Sequence, residues 1–514
     1  MEFINNDFIP QIVGMNVDEI YDVFNNCRVV NKYDTLVDLL TEAFQKFPNH
    51  VAINEKEPVY YQELQDFSDE VSNYIKQQLV DEEYILVYAR RDWKTVAIIL
   101  GILKAGKAYV PISPDIPDDR LKKIQESVNS YQILDSSMKF ESAVRSTEDH
   151  HMTNQDPAYV IFTSGSTGVP KGVEIPNFSV TETIQVVNRL FGLNEFDVVL
   201  AISALTFDLS IFDLFSTLSV GAKLVLLENN TNPALMLERI KQEGVTTINT
   251  VPNAFRLVLD YAIHTEQCAH LESLRTIVLS GDVVPMELVE SILNYLPQTN
   301  LHIMGGPTEI TIWSNNYLYQ EGASKFDYVP YGTPIANKKM FIMKDNVPVL
   351  GESGEIVSGG AGLATQYIGN DELTDEKFWE HPEYGRLYNT GDMGIIDENG
   401  LIRIQGRIDN QVKINGFRIE LEEVEKCIND ISGVAQSIVA VHMNANISKL
   451  VAAIKFSSQL KREQITDQLK AKLPEYSIPS SFYLLETIPL SENQKLDRKK
   501  FNKMLDNLGD LKEI

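Results

Sequence analysis

The sequence predicts an α/β protein of mixed, mostly parallel sheets with packed helices, in more than one domain. Three observations predict it. Strand-like and helix-like segments alternate through most of the chain, the pattern of a parallel sheet with helices on its faces. One apolar run, Tyr159-Val160-Ile161-Phe162, reads as a buried strand and passes directly into a loop of glycines and hydroxyls. The chain has 514 residues, 44% hydrophobic and 23% charged, which suits two or more globular cores.

The elements follow in order. Leu36, Leu39, Leu40, Ala43, Phe44 and Phe47 recur at helical spacing and predict an amphipathic helix over 35–48. Val51-Ala52-Ile53 reads as a strand, and a second helix runs from Tyr60 to Ile75. Ile85–Tyr88 is a strand and Thr95–Ala105 a largely buried helix. Leu103–Ile112 is a helix end, a glycine and a strand, plain packing chemistry with no catalytic role. After the glycine loop, Val198–Ile202 is a strand and Asp208–Leu218 a helix; Lys223–Leu227, Thr247–Thr250 and Thr276–Leu279 are further strands. Residues 354–368 read as glycine-rich β-structure with a structural role. Beyond them Glu420–Ile428 and Arg462–Leu473 read as helices, and Ser437–Val441 and Leu450–Phe456 as strands.

Charge and composition exclude several classes. The net charge of −27, from 45 basic and 72 acidic residues, opposes nonspecific nucleic-acid binding. No apolar run approaches a membrane span, and the N-terminus lacks the basic-then-apolar pattern of a signal peptide. Cys27, Cys268 and Cys427 lie far apart and offer neither metal spacing nor a disulfide framework, so a reducing cytoplasm is the expected compartment.

The loop after Phe162 carries the chemistry. Gly165, Gly168 and Gly172 allow backbone N–H groups to approach a ligand closely. Thr163, Ser164, Ser166 and Thr167 add hydroxyls, and Lys171 a positive charge, as a polyphosphate cradle requires. A surface turn of small residues is the competing reading. The loop is not of the G-x-x-x-x-G-K-[ST] kind, because Pro170 stands at the second glycine and Gly172 follows the lysine. It resembles instead the phosphate loop of the adenylate-forming superfamily, which includes acyl-CoA synthetases, luciferases and nonribosomal peptide synthetase adenylation domains.

The resemblance extends over essentially the whole chain and implies roles for further residues. Asp208, in Phe207-Asp208-Leu209-Ser210, could by itself be a helix cap; the resemblance implies that it binds the α-ammonium group of an amino acid. In Gly306-Pro307-Thr308-Glu309, Thr308 would contact phosphate and Glu309 would help hold Mg²⁺. The family carries an aromatic residue, stacked on adenine, where this chain has Gly305, and an Asn where it has Ile303. Asp392, in Tyr388-Asn389-Thr390-Gly391-Asp392, could sit in an Asx turn or accept both hydroxyls of a ribose; the resemblance favours the ribose, with Asn389 replacing the usual Arg. The stretch Gly406–Glu420 could be a solvated hairpin; by resemblance Arg407 contacts the ribose and phosphate side and Asp409 is the hinge of a rotating domain. This divides the chain into a large core, 1–408, and a small mobile α+β C-terminal domain, 409–514, carrying Lys495. Lys495 alone is one exposed lysine of many; by resemblance it is catalytic, together with Thr163 and Glu309.

The implied reaction joins a carboxylate to ATP with Mg²⁺, giving an acyl-adenylate and pyrophosphate, and then passes the acyl group to a thiol. By the family's pocket positions, Asp208, Leu209, Phe212, Thr250, Val278, Ser280, Met304, Ile312 and Trp313, with Lys495, would line the substrate pocket. Phe212, Met304 and Trp313 should shorten it, while Ser280 and Thr250 add small polar contacts, so the substrate expected is a small amino acid. The lining looks most like that of cysteine-activating domains, with glycine, serine and alanine as alternatives, and a D-alanine–carrier ligase is also consistent. The chain stops shortly after Arg498 with no carrier domain following, so a separate phosphopantetheinylated carrier protein is expected. Two readings compete. An acyl-CoA synthetase is opposed by Asp208. A nucleotide-binding pseudoenzyme rests on Gly305 and Asn389 and is opposed by Lys171, Glu309, Asp392 and Lys495.

Overall fold

Most of the alternating segments form two sheets with parallel centres. The computed structural model describes residues 15–140, 152–165, 170–227, 232–319, 326–444, 447–458, 460–489, 496–506 and 512–514. Among these, a nine-stranded sheet runs from Thr333–Pro334 through Asn315–Tyr319, Asn300–Gly305, Thr276–Leu279, Thr247–Thr250, Val198–Ala201, Lys223–Leu226 and Val51–Asn54 to Pro58–Tyr60. Its inner pairings are parallel and its ends antiparallel. Thr247–Thr250 and Thr276–Leu279 pair residue for residue, and both are wholly buried; apart from Asn249 their residues are apolar or β-branched, as suits strands covered on two faces. A six-stranded sheet carries Tyr84–Tyr88 and Ala108–Ile112 at its centre, parallel to each other. Helices Tyr61–Gln78 and Trp93–Lys104 pack together closely enough that a Cβ on Gly101 would lie 2.6 Å from Val71.

A third sheet is antiparallel throughout, and alternation of helix and strand did not announce it. It orders Val347–Pro348, Lys338–Lys344, Gly354–Gly360, Gly385–Ile396 and Phe378–His381, with Ile402–Arg407 also paired to Gly385–Ile396. Helix Val17–Asn25 buries Ile20, Tyr21 and Phe24 against it. The Tyr21 hydroxyl accepts from the Ile342 N–H at 2.8 Å and donates to the Val349 carbonyl at 2.9 Å, so this contact is polar as well as apolar.

Two compact units divide these residues. The larger takes the described parts of Met1–Pro114, Val128–Ile161 and Gly172–Ile408. The smaller takes Asp115–Ser127, Phe162–Lys171 and the described parts of Asp409–Ile514. In the smaller unit a hairpin pairs Gln411–Ile414 with Phe417–Glu420. Its turn is Asn415-Gly416, with φ of 51° and 84°, the two left-handed residues that a two-residue hairpin turn needs. Behind it, strands Val434–Asn444, Ile447–Phe456, Ser481–Leu484 and Lys512–Glu513 form a sheet covered by helices Leu421–Asn429, Arg462–Lys470 and Arg498–Leu505. Val424, Ile428, Ile465, Leu469 and Phe482 fill one side of that core.

The expected helix over Asp208–Leu218 is present and continuous, but not α-helical throughout. Leu209–Ile211 is α-helical, Phe212–Ser216 a π-turn and Thr217–Ser219 α-helical again. The cause is a side chain from another strand. The Asn249 amide donates to the Leu209 carbonyl at 3.1 Å and to Asp213 Oδ1 at 3.0 Å, entering the hydrogen-bond ladder at the wider turn. Burial pushes the Asp213 carboxyl up to about 7.

The same sheet buries a histidine. His302 sits beside Asn316 Oδ1, its Nδ1 2.8 Å away, and burial pulls its pKa down from the ordinary 6.5 to about 4. An unfolded chain therefore binds a proton between those values that the folded chain refuses. Stability on the order of 3 kcal/mol is lost as pH falls from about 6.5 through about 4. His302→Gln is expected to flatten the fall in melting midpoint between pH 7 and pH 4; an unchanged slope would show that His302 does not set it.

No helix among the described residues is long and apolar enough to cross a membrane, and no disulfide joins the three cysteines.

Candidate active site

Ligands of open parallel sheets sit at the carboxyl ends of the strands, and four of the expected pocket residues lie there. On three adjacent parallel strands, Thr250 is the last residue of one, Val278 and Met304 are next to last in the other two, and Ser280 directly follows the strand of Val278. All are buried, as are Leu209, Phe212, Ile312 and Trp313. Phe212 and Trp313 pack with ring centroids 5.2 Å apart, and Phe191 adds a third ring to the cluster. The Trp313 indole donates to Ser280 Oγ at 3.0 Å, so Ser280 orients the tryptophan. Phe212, Trp313 and Phe191 thus pack on one another.

Asp208 does not cap a helix. Its backbone is itself helical (φ −62°, ψ −26°) and its side chain makes no cap bond. The carboxylate instead accepts from the Thr308 hydroxyl at 2.6 Å, and it is buried. Two expected site residues 100 positions apart are thereby joined. Thr308 opens a single 3-10 turn, Thr308–Ile310, that also carries Glu309.

Glu309 is fully buried, and Oε1 accepts from the Tyr367 hydroxyl at 2.6 Å. Tyr367 in turn lies 3.3 Å, hydroxyl to hydroxyl, from Tyr388. The turn then passes through Thr311 and Ile312, both at positive φ (57° and 66°), where β-branched residues are strained. Close packing enforces that path. A Cβ on Gly306 would lie 2.7 Å from the Ile312 carbonyl oxygen. Thr311 Oγ1 donates to the Gly362 carbonyl at 2.8 Å. Beneath it the buried Lys338 Nζ donates to the Ile310 carbonyl at 2.9 Å and to Thr183 Oγ1 at 2.7 Å. Burial holds Lys338 below the ordinary lysine value, with the charge of Glu182 opposing, and burial pushes Glu182 up.

Asp392 lies within the strand Gly385–Ile396, so the Asx-turn reading does not hold. Its cross-strand partner is Arg407, and Arg407 Nη1 meets Asp392 Oδ1 at 2.7 Å. The ion pair leaves the carboxylate's second oxygen to other donors. Asn389 accepts from the Trp379 indole at 2.8 Å, a packing role for the residue that departs from the family pattern.

Thr163, Ser164, Gly165 and Lys171 fall in the smaller unit. There Ser164 Oγ donates to the Arg418 carbonyl, and Lys171 Nζ pairs with Glu420 Oε1 at 3.0 Å. Asp409 Oδ1 accepts from the Gln411 N–H at 3.2 Å, two residues on. Ser166, Thr167, Gly168 and Lys495 lie outside the described residues.

Sequence reasoning missed Tyr367, Lys338 and Glu182. The two charges both stand among polar neighbours in the sequence, Lys338 between Asn337 and Lys339 and Glu182 between Thr181 and Thr183, so no local signal marked them as buried. Tyr367 carried no such signal either.

Residues 40–149 and 126–368 match the AMP-binding enzyme family. The chain belongs to that adenylate-forming family. Among its AMP-binding relatives, bacitracin synthase 1 of Bacillus licheniformis is 34% identical over 474 residues, 90% of this chain, and the chain spans 9% of that synthase's length. Zwittermicin A synthase ZmaJ of Bacillus cereus is 32% identical over 489 residues, covering 90% of this chain and 93% of ZmaJ. A solved nonribosomal peptide synthetase protein containing adenylation and carrier domains superposes with a TM-score of 0.82 over 95% of this chain and 86% of its own, at 24% identity.

Proposed function

We propose that this adenylate-forming chain activates a small amino acid with ATP and transfers it to the phosphopantetheine thiol of a carrier protein. The observation that carries this reading is Asp208: a buried carboxylate, oriented by Thr308, beside residues closed by Phe212 and Trp313. A carboxylate in that setting suits an ammonium group, and the bulk of Phe212, Met304 and Trp313 favours a short side chain. L-cysteine is the substrate proposed first, before glycine, serine and alanine.

In the first step a substrate carboxylate oxygen attacks the α-phosphorus of ATP. The bond to the bridging oxygen breaks, and pyrophosphate leaves with the electron pair. No protein nucleophile is needed, so positioning and charge compensation carry catalysis. Asp208 orients the amino acid by its ammonium group. Asp392 accepts from the ribose hydroxyls, with Arg407 holding the carboxylate. On their sequence motifs alone, Thr163 to Gly168, Lys171, Gly306 and Thr308 are proposed as phosphate-binding groups, and Lys495 as the group that compensates charge at the α-phosphate. Glu309 offers one carboxylate as a hard oxygen ligand. That fits Mg²⁺, which keeps several waters and takes substrate phosphates with one or two carboxylates. When bound it would neutralise charge on the phosphates. In the second step the thiol attacks the acyl carbon, AMP leaves and the thiol proton passes to solvent. Rotation about Asp409 would withdraw Lys495 between the steps.

The test is amino-acid-dependent exchange of pyrophosphate into ATP, across the proteinogenic amino acids, D-alanine, and several fatty and aryl acids. The expected peak is L-cysteine. A peak with another small amino acid keeps the reaction and replaces the substrate. Exchange only with acids lacking an amino group overturns the role of Asp208. No exchange by folded, ATP-binding protein overturns the enzyme reading. Loading of a carrier supplied in trans, with none of free coenzyme A, separates this reading from an acyl-CoA synthetase.

A further inference from the structure

The strand Asn300–Gly305 ends at a residue whose missing side chain is replaced from elsewhere. A Cβ on Gly305 would lie 2.2 Å from Cε2 of Tyr331 and 2.7 Å from its hydroxyl oxygen. The Tyr331 ring therefore fills the space where a side chain at 305 would begin. Its backbone is pinned from two sides. The Tyr331 N–H donates to the Ile402 carbonyl at 2.9 Å, and the Asn315 amide donates to the Tyr331 carbonyl. The next residue, Gly332, is at φ 93°, and a Cβ there would lie 2.1 Å from the Asn316 carbonyl oxygen, so the chain cannot shift toward that strand.

The ring is only partly buried. Ser314 hydrogen-bonds its phenol, and Asp392 acts on it electrostatically; burial first, and Asp392 second, push the phenol up. Tyr331 thus stands between the end of a parallel strand and the Asp392–Arg407 pair. A nucleoside whose ribose hydroxyls meet Asp392 carries its base on the same ring, within reach of an aromatic face so placed. Gly305 and Tyr331 fit as a pair: a side chain at 305 and the ring at 331 exclude each other.

The geometry points to Tyr331 as the aromatic platform on which the nucleotide's purine base stacks, with Gly305 vacating the space its ring occupies. This rests on the adenylation reading above, and it names a binding residue that reading lacks. The face of the ring, not the phenol, makes the contact.

Binding of AMP, ATP and ribose 5-phosphate to the full chain by calorimetry tests it. Stacking on an aromatic side chain is worth enough that Tyr331→Leu is expected to weaken AMP and ATP about tenfold to a hundredfold. Ribose 5-phosphate, which has no base, is expected to bind the parent and Tyr331→Leu alike. Tyr331→Phe is expected to stay within about twofold to threefold of the parent for all three, since the face survives. Gly305→Ala presses only on the far end of a side chain, so it should fold, displace the ring and weaken AMP; combined with Tyr331→Leu it should add little further loss, because both act through one ring. Parent-like AMP binding by Tyr331→Leu overturns the assignment, as does a Tyr331→Phe loss matching that of Leu. A folded parent that binds neither ATP nor AMP overturns the adenylation reading, and this assignment with it.

Discussion

Asp208→Ala is expected to lower kcat/KM for amino-acid-dependent pyrophosphate exchange by about a hundredfold to a thousandfold, the usual result of truncating one partner of a buried charge pair. Direct ATP binding should stay within a few-fold of the parent. The loss falls on recognition because the side chain does not cap its helix; its carboxylate accepts from Thr308 and is buried beside the aromatic cluster. Asp208→Asn separates two roles. It keeps an oxygen that can accept from Thr308 and removes the negative charge. If Asp208 pairs with an ammonium group, Asn should be nearly as poor as Ala. If it only holds the Thr308 turn, Asn should exchange like the parent and the amino-acid reading fails. Thr308→Val completes the comparison: it removes the hydroxyl that orients the carboxylate, and a loss well below that of Asp208→Ala is expected.

The fold was legible where local pattern and burial agree. Thr247–Thr250 and Thr276–Leu279 are short runs that, apart from Asn249, are apolar or β-branched, and the structure starts and ends them where their residues do. The helix from Asp208 was legible as a helix but its π-turn was not, because that turn is held by Asn249, a residue on a distant strand. Periodicity carries no information about such a partner. The hairpin turn Asn415-Gly416 had a local signal, the Asn-Gly pair. At the site the motifs located Asp208, Thr308, Glu309, Asp392 and Arg407, and the structure pairs Asp208 with Thr308 and Asp392 with Arg407. Gly305 looked like a lost contact; its meaning depends on Tyr331, 26 residues later and against the same strand end, which is a three-dimensional fact. Tyr367 escaped for the same reason, since its hydroxyl matters only because Glu309 is folded onto it.

Lys338→Met is expected to cost about 3–5 kcal/mol of stability, the usual loss when one partner of a buried charge pair is removed. The lysine is buried to 1% exposure, and its ammonium reaches the Ile310 carbonyl and Thr183 while its charge opposes that of buried Glu182. Gly362 belongs to the same arrangement, for a Cβ there would fall 1.6 Å from the ammonium nitrogen. With the lysine gone, Glu182 is left in the core without its cation, so the double variant Lys338→Met with Glu182→Gln should recover much of the loss. Glu182→Gln alone should cost less at high pH than at neutral pH. Burial already holds the lysine below its unfolded value, so the unfolded chain binds the extra proton and stability rises as pH climbs toward that value. Melting midpoints of the four proteins across pH 6 to pH 10 test this, and equal losses in the single and double variants would show the two charges uncoupled. The consequence reaches the site because Ile310 lies between Glu309 and the two left-handed residues Thr311 and Ile312. Strain at such residues, on the order of 1–3 kcal/mol each, persists only while the surroundings hold it. Lys338 is one of those holds, so exchange by the still-folded Lys338→Met fraction should fall below that of the parent, and the double variant should recover stability more fully than activity.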